Sequence, residues 1–226
     1  GQRLNNIDMS EVDFPSIPLE SIDQIEIIKG NAAAVLYGDG AIGGSINFIT
    51  RVSSAQKNIN DVKITYGTFN LREILWNYVQ SFGLYSHSSY FNNKITDGYR
   101  DHNEQTQTSF ESEVRYAASK GDVFLKFGLN DQNMNTPGDR SQNQIYTDRK
   151  GTDTVNDYIK SDGASVLLGG NYKINDNNEL VLDSSFRLKD SYSDLQTSDF
   201  PSYSETFLKN YQFTPRVNSF VNLFGK

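Results

Sequence analysis

The sequence has no cysteine, so it can hold neither a disulfide framework nor a thiolate metal site, and nothing in it marks a redox compartment. It has only two histidines, His87 and His102, too few for a histidine-rich metal centre. No apolar run approaches the roughly 20 residues that a helix needs to cross a bilayer, which excludes spanning by helices. A β-barrel wall is not excluded, because its apolar residues alternate with polar ones. No block of one charge occurs either: 21 basic and 28 acidic residues are scattered, for a net charge of −7. Without a basic stripe to neutralise phosphates, nucleic acid is not an expected partner. Also missing are a methionine before Gly1 and a signal-peptide pattern, and the chain stops at Phe224-Gly225-Lys226 in what reads as a strand just starting. The expectation is an internal fragment.

What is present is concentrated first in Gly30 to Arg51. Five glycines (Gly30, Gly38, Gly40, Gly43, Gly44) bracket a short apolar stretch, Ala32 to Tyr37, and release it into the β-branched run Ser45 to Thr50. Ala and Leu favour a single helical turn, glycine permits positive φ on either side, and Ile46, Phe48 and Ile49 suit a buried strand. Gly38 to Gly43 matches G-x-G-x-x-G letter for letter. That fingerprint binds dinucleotides only where its last glycine opens a helix, and Gly44 to Thr50 has strand character instead. Asp61 lies at a suitable distance for a ribose, but no crossover helix lies between. Ahead of this stretch, residues 1 to 21 are polar, with Pro15 and Pro18 breaking any helix. Ile17 to Ile22 suits a short helical turn and Gln24 to Ile28 a strand, completing part of a small mixed sheet.

After Arg51 the texture changes to stretches of about ten residues with period two. Val62, Ile64 and Tyr66 oppose Lys63 and Thr65. Phe110, Val114 and Tyr116 oppose Glu111, Glu113 and Arg115, and Val123, Leu125, Phe127 and Leu129 oppose Asp122, Lys126 and Asn130. The pattern recurs at Val166 to Tyr172, Leu180 to Leu188 and Phe207 to Phe213, with less regular strands at 71 to 80 and 82 to 92. That makes about eight strands and the start of a ninth. Short joints fall near Ser81-Phe82, Ser119 to Gly121, Asn175 to Asn178 and Val217 to Ser219. The other joints are Asn93 to Gln105, Met134 to Tyr158 and Asp194 to Ser204, all long, and Gly67 to Asn70, which is short. Short turns on one rim and long loops on the other is the asymmetry of outer-membrane barrels. The 13 Tyr and 14 Phe suit aromatic girdles, although a soluble all-β protein could carry as many.

The residues Ile22, Ile25-Glu26-Ile27-Ile28, Gly30, Ala33, Leu36-Tyr37-Gly38, Ala41, Gly43-Gly44, Ile46-Asn47 and Thr50-Arg51 resemble the end of the plug domain of TonB-dependent outer-membrane receptors. Gly1-Gln2-Arg3-Leu4-Asn5 is similar to the segment before it, and Asn31 departs from the family's frequent proline, at little cost to a helix start. The resemblance implies a mainly β fold: a fragment of a plugged transmembrane antiparallel β-barrel, preceded by part of a small α+β plug. Residues 1–51 would be the C-terminal part of the plug and 52–226 the incomplete barrel. An eight-stranded barrel fills its bore with its own side chains, so a plug requires the larger wall of about 22 strands.

The resemblance further implies a receptor in the outer membrane of a Gram-negative cell, with loops extracellular and short turns periplasmic. Its implied partners are outer-membrane lipid, a TonB energy-transducing complex reached through a segment missing here, and a scarce ligand such as an iron-siderophore. A cobalamin-type receptor, a passive channel or adhesin, and a soluble all-β binding protein or hydrolase stay open as alternatives. The soluble reading requires the faces led by Val123 to Leu129 and Leu180 to Leu188 to meet in a closed core.

Candidate sites follow. The loop with Asn6, Asp8, Met9, Ser10 and Glu11 corresponds to the plug apex and could touch ligand, against the plain reading of a solvated loop. Asp97, Asp101 and Glu104 offer oxygen ligands for a hard cation, although their spacing is not that of an EF-hand. Tyr192, Phe200 and Tyr203 suit either stacking on a ligand or a membrane girdle. No Ser, His and Asp constellation presents itself, His87 lying inside a strand and His102 in a polar loop. Neither enzymatic activity nor a cofactor is expected.

Overall fold

The computed structural model describes residues 22–30, 41, 43–50, 58–196 and 201–219. Two strands, β1 (Ile22–Lys29) and β2 (Gly44–Thr50), pair antiparallel, with Ile25 opposite Phe48 and Ile27 opposite Ile46. The Glu26 carboxylate accepts a hydrogen bond from the Asn47 amide across the pair, at 3.2 Å. Strand β2 thus stands where a dinucleotide site would need a helix. Of the expected helical turn at Ile17 to Ile22, only Ile22 is described, and it opens β1 instead. The turn at Ala32 to Tyr37 lies outside the described residues.

The rest of the described chain is one meander of eight strands: β3 (Ile59–Tyr66), β4 (Arg72–Phe82), β5 (Tyr85–Thr96), β6 (Gln105–Ala118), β7 (Gly121–Asn135), β8 (Tyr158–Asn175), β9 (Asn178–Leu195) and β10 (Ser202–Ser219). Each pairs antiparallel with its sequence neighbours, in the order β10 to β3. Among the described residues β3 and β10 do not pair, so the sheet is open. A six-residue helix, α1 (Gln142–Thr147), sits in the β7–β8 connection behind a Ser141 capping box. Among the described residues no helix is long and apolar enough to cross a membrane.

Cross-strand partners lie on one face of a sheet, so the register divides the side chains cleanly. One rung runs Val114, Leu125, Leu168, Ser184, Phe213 and another Tyr116, Val123, Gly170, Leu182, Pro215. This face is mostly apolar and uncovered: Leu125 is 52% exposed, Leu168 48% and Phe213 67%, while Lys209, over the Phe207 ring, sits on it opposite Leu188. The opposite face carries Glu111, Glu113, Arg115, Asp122, Lys126, Asp183 and Arg187. Of these, Glu113, Asp183 and Arg187 are buried. Burial is therefore inverted relative to a water-soluble core, as expected when the polar side of a curved sheet faces inward. The closed core required by the soluble reading is contradicted, since the apolar side chains of Val123–Leu129 and of Leu180–Leu188 lie on the same face, with β8 between them, rather than against each other.

The belt also has membrane dimensions. On β7 the apolar positions Val123 to Leu129 are flanked by Gly121 and Asp131, ten residues apart. At ~3.3 Å per residue and a tilt of ~40° that interval spans about 25 Å, the height of an outer-membrane apolar band. Tyrosine clusters border it: Tyr85 and Tyr116 at the short-turn end, with ring centroids 4.9 Å apart, and Tyr158, Tyr192 and Tyr203 at the long-loop end. Tyr192 and Tyr203 lie on the apolar face, at girdle positions, and Phe200 is outside the described residues.

Two joints differ from expectation. The β4–β5 turn is Gly83-Leu84 rather than Ser81-Phe82, because only Gly83 supplies the positive φ (60°) that a two-residue hairpin needs. Residues 217–219 are not a turn but the end of β10, held to β9 by Asn218 on Glu179 (3.3 Å) and Ser219 on Asn178 (2.7 Å). The ninth strand lies outside the described residues. The turn into β7 needs its glycine as well. Gly121 has φ +153°, and a Cβ there would fall 2.0 Å from the Asn171 carbonyl oxygen.

Candidate functional site

The long-loop rim gathers residues 67–71, 97–104 and 136–157, with Gln196 beside them. Loop 97–104 is the clamp. The Arg100 guanidinium donates to the carbonyls of Pro137 (2.8 Å), Gly138 and Gly151 (3.0 Å), fastening both arms of the longest loop at once. An arginine suits this task because its planar fork offers several donors in fixed directions. The Asp101 amide donates to Lys150 O at 2.8 Å, and His102 Nε2 donates to Asp157 O at 2.7 Å.

Loop 136–157 is also tied internally. Thr152 and Thr154 hydroxyls donate to Pro137 O (3.0 Å) and Thr136 O (2.8 Å). Arg140 bridges Asp148 at 2.8 Å and Asp153 at 3.2 Å, and Gln144 of α1 donates to Asp153 at 2.7 Å. Asp157, 2% exposed, accepts from the Gln196 amide at 2.7 Å, which carries the connection on to the end of β9. At the outer surface the Phe69 and Tyr99 rings meet edge to face at 5.5 Å. The Lys150 ammonium lies 5.5 Å from Tyr99 and 6.0 Å from Phe69, a cation–π arrangement supplied by three loops.

The three acidic residues singled out from sequence serve different partners. The Asp97 amide donates to Phe69 O at 2.9 Å, and its carboxylate accepts from Asn70 at 3.4 Å. Asp101 contacts loop 136–157 through its backbone. Glu104 accepts from Asn135 at 2.9 Å, a bond that holds its carboxyl below the usual carboxylate range. Among the described residues, no group of three or more His, Asp and Glu side chains is arranged to hold a metal ion. Asn6, Asp8, Met9, Ser10 and Glu11 lie outside the described residues. The sequence reading missed Arg100, Arg140 and Asp157. Their only sequence signal is the density of Pro, Gly, Asp and Thr between Thr136 and Asp157, which marks a loop but not what it closes on.

The polar face of the sheet carries its own network. Arg115 bridges Glu113 (2.9 Å) and Asp122 and covers the Phe124 ring at 4.3 Å. Lys126 pairs with Glu111 at 2.9 Å and Arg216 with Asp183 at 3.1 Å. The Asn171 amide donates to Asp122 at 2.6 Å. Such a surface suits a water-filled or protein-filled lumen and would be untenable against lipid.

An open antiparallel sheet with an apolar face, bordering tyrosines, a charged opposite face and loops massed on one rim has the features of the wall of an outer-membrane-type β-barrel. Residues 1–45 match the model of the TonB-dependent Receptor Plug Domain. The chain is 48% identical over 50 residues to the vitamin B12 transporter BtuB of Photobacterium profundum, covering 22% of this chain and 8% of that protein. It is 30% identical over 122 residues to BtuB of Vibrio vulnificus, covering 50% and 20%.

In fold it is similar to the siderophore receptor PiuA from Acinetobacter baumannii, with TM-score 0.75 at 13% identity over 90% of this chain and 33% of that one. It is likewise similar to the unliganded ferric citrate transporter FecA, with TM-score 0.74 at 16% identity over 90% and 32%. The plug-domain match over residues 1–45, the sequence relatives and the fold likeness of the sheet all indicate a TonB-dependent receptor. The chain spans a tenth or less of the length of several of the curated relatives it matches, and about a third of the solved chains.

Proposed function

We propose that the whole protein imports a large, scarce metal chelate across the outer membrane, with a ferric siderophore as the first reading. The observation that carries this is the pairing of a glycine-rich plug end with a wall whose apolar side faces out and whose charged side faces in. A lumen filled by a folded plug does not pass a large solute by diffusion, so transport needs work from outside the barrel. In this reading residues 1–51 close the plug, 52–226 begin the wall, the short turns are periplasmic and the clamped loops extracellular. The TonB complex pulls on a segment of the plug ahead of Gly1. The apex residues Asn6, Asp8, Met9, Ser10 and Glu11 meet the ligand from below, while loops 97–104 and 136–157 form a fixed part of the mouth.

A second reading, a cobalamin as cargo, is favoured by one specific observation: relatives similar to this chain in sequence include vitamin B12 transporters. The two are separated by equilibrium binding of a ferric siderophore panel and of cyanocobalamin to the purified full-length receptor. Uptake of the bound compound is then measured in cells with and without TonB. The proposal expects tight binding of one chelate and uptake abolished without TonB. Undiminished uptake in the absence of TonB would overturn it.

A further inference from the structure

The tip of the β3–β4 hairpin is strained. The Leu71 amide donates to Thr68 O at 3.3 Å, and both central residues of that turn, Phe69 and Asn70, have positive φ (58° and 54°). Asparagine enters this region readily, but a bulky aromatic residue there is an outlier that glycine or a second asparagine would avoid. Strain of this kind collects at ligand-binding and switch sites. The Phe69 ring is 44% exposed, so it is not held there in order to be buried.

The backbone beneath it and beneath its neighbours is pinned. Phe69 O accepts from the Asp97 amide at 2.9 Å and from the Thr96 hydroxyl at 3.1 Å. Asn70 accepts from Arg72 at 3.0 Å, and Lys150 O accepts from the Asp101 amide at 2.8 Å. Tyr99, edge-on to Phe69, is 43% exposed. Lys150 and Arg149 are exposed as well, and among the described residues neither forms an ion pair. Carboxylates of the same loops are engaged elsewhere, Asp97 by Asn70 and both Asp148 and Asp153 by Arg140. Three pinned loops thus present two open rings beside an unpaired ammonium.

We infer that Phe69, Tyr99 and Lys150 select the cargo: an aromatic ring of an anionic chelate packs against Phe69 and Tyr99, and its negative charge meets Lys150. An edge-to-face pair still offers a ring face and a ring edge to a third ring. The ammonium, 5.5 Å from Tyr99, has only ring faces for company and gains a counter-charge when such a ligand arrives. Aliphatic or neutral chelates match neither half of the arrangement. Because the three backbones are already held, little further ordering opposes binding. The inference rests on the proposed function, in which these loops form the mouth, and deepens it by choosing aromatic, anionic chelates over the other cargoes.

The test measures equilibrium binding of three probes to the purified full-length receptor. They are a ferric tris-catecholate, aromatic and trianionic; a ferric trihydroxamate, aliphatic and neutral; and cyanocobalamin. The variants are Phe69→Asn, which deletes the ring while suiting the turn, Lys150→Gln, and Lys150→Arg, which keeps the charge. The wild-type receptor is expected to prefer the tris-catecholate. Phe69→Asn and Lys150→Gln should each weaken its binding about ten-fold, and Lys150→Arg by no more than about two-fold. Unchanged tris-catecholate affinity in both Phe69→Asn and Lys150→Gln would overturn the inference and leave the cluster as a contact between loops. A wild-type preference for the trihydroxamate or cyanocobalamin would overturn it too, while the import reading stands if uptake of the preferred chelate still requires TonB. Uptake indifferent to TonB would bring down the import reading and the inference with it.

Discussion

Within the 15 residues of β7, Val123, Leu125, Phe127 and Leu129 stand exposed on one side, while Asp122 and Lys126 stand on the other beside Arg115 and Glu111. The two faces share one backbone and one hydrogen-bond ladder. They differ only in solvent, and the difference shows which solvent each meets. A row of uncovered aliphatic and aromatic side chains is stable against hydrocarbon, and a row of paired charges is stable in a wet or protein-filled lumen. A sheet in water would put the first row in and the second out.

Reversing one position on each face gives the largest contrast. Leu125→Arg places a guanidinium near the middle of the belt and is expected to destabilise the refolded full-length receptor by about 2–4 kcal/mol, read from denaturant titration in lipid vesicles. Ser165→Lys, one strand away on the polar face and near Glu111, is expected to change stability by about 1 kcal/mol or less. Equal losses would erase the distinction between the faces.

Within the polar face, Arg115→Ala leaves Glu113 buried without its partner, and a loss of about 1–3 kcal/mol is expected by the same titration. Next in size is Gly121→Ala. It forces a side chain into a left-handed φ against the Asn171 carbonyl, and about 1–3 kcal/mol is expected, at the low end if the β6–β7 turn can relax.

At the long-loop rim, Arg100→Ala should leave the global transition nearly unchanged while releasing loop 136–157. Trypsin cleavage after Arg149 or Lys150 in the folded receptor should speed up several-fold, and an unchanged rate would mean that Arg100 does not hold the loop. The smallest effect concerns Glu104. Its folded-state value is depressed, so the stability it contributes is present above the ordinary carboxylate range and is lost as pH falls through the folded value. Asn135→Ala removes the main cause, and a carbon-detected NMR titration should find the Glu104 carboxyl moved upward, with less acid sensitivity in the loop.

Alternation made the wall legible in advance because burial on a two-sided sheet repeats every second residue, and the strands from Val62 to Phe213 carry that signal strongly. The eight strands and their faces follow directly. Less legible were the joints. Phe82 looked like a turn residue beside Ser81, yet the turn waits for Gly83, whose backbone alone tolerates it. Residues 217–219 are polar, and polarity at a strand end reads as a turn until the Glu179 and Asn178 partners are known.

The rim was the hardest to read, since Arg100 binds carbonyls 37 to 51 residues away, and a carbonyl carries no residue signature. Likewise His87 and Ser112 looked unrelated in sequence. Only the register of β5 on β6 makes them neighbours.

The most direct measurement is a cysteine walk along β7 of the full-length receptor in lipid vesicles, from Asp122→Cys to Asn130→Cys, each position labelled with a fluorophore and quenched by a lipid-borne quencher. Strong quenching at 123, 125, 127 and 129 and weak quenching at 122, 124, 126, 128 and 130 is expected. Uniform quenching, or quenching with the opposite phase, would contradict a wall that turns its apolar side to the membrane.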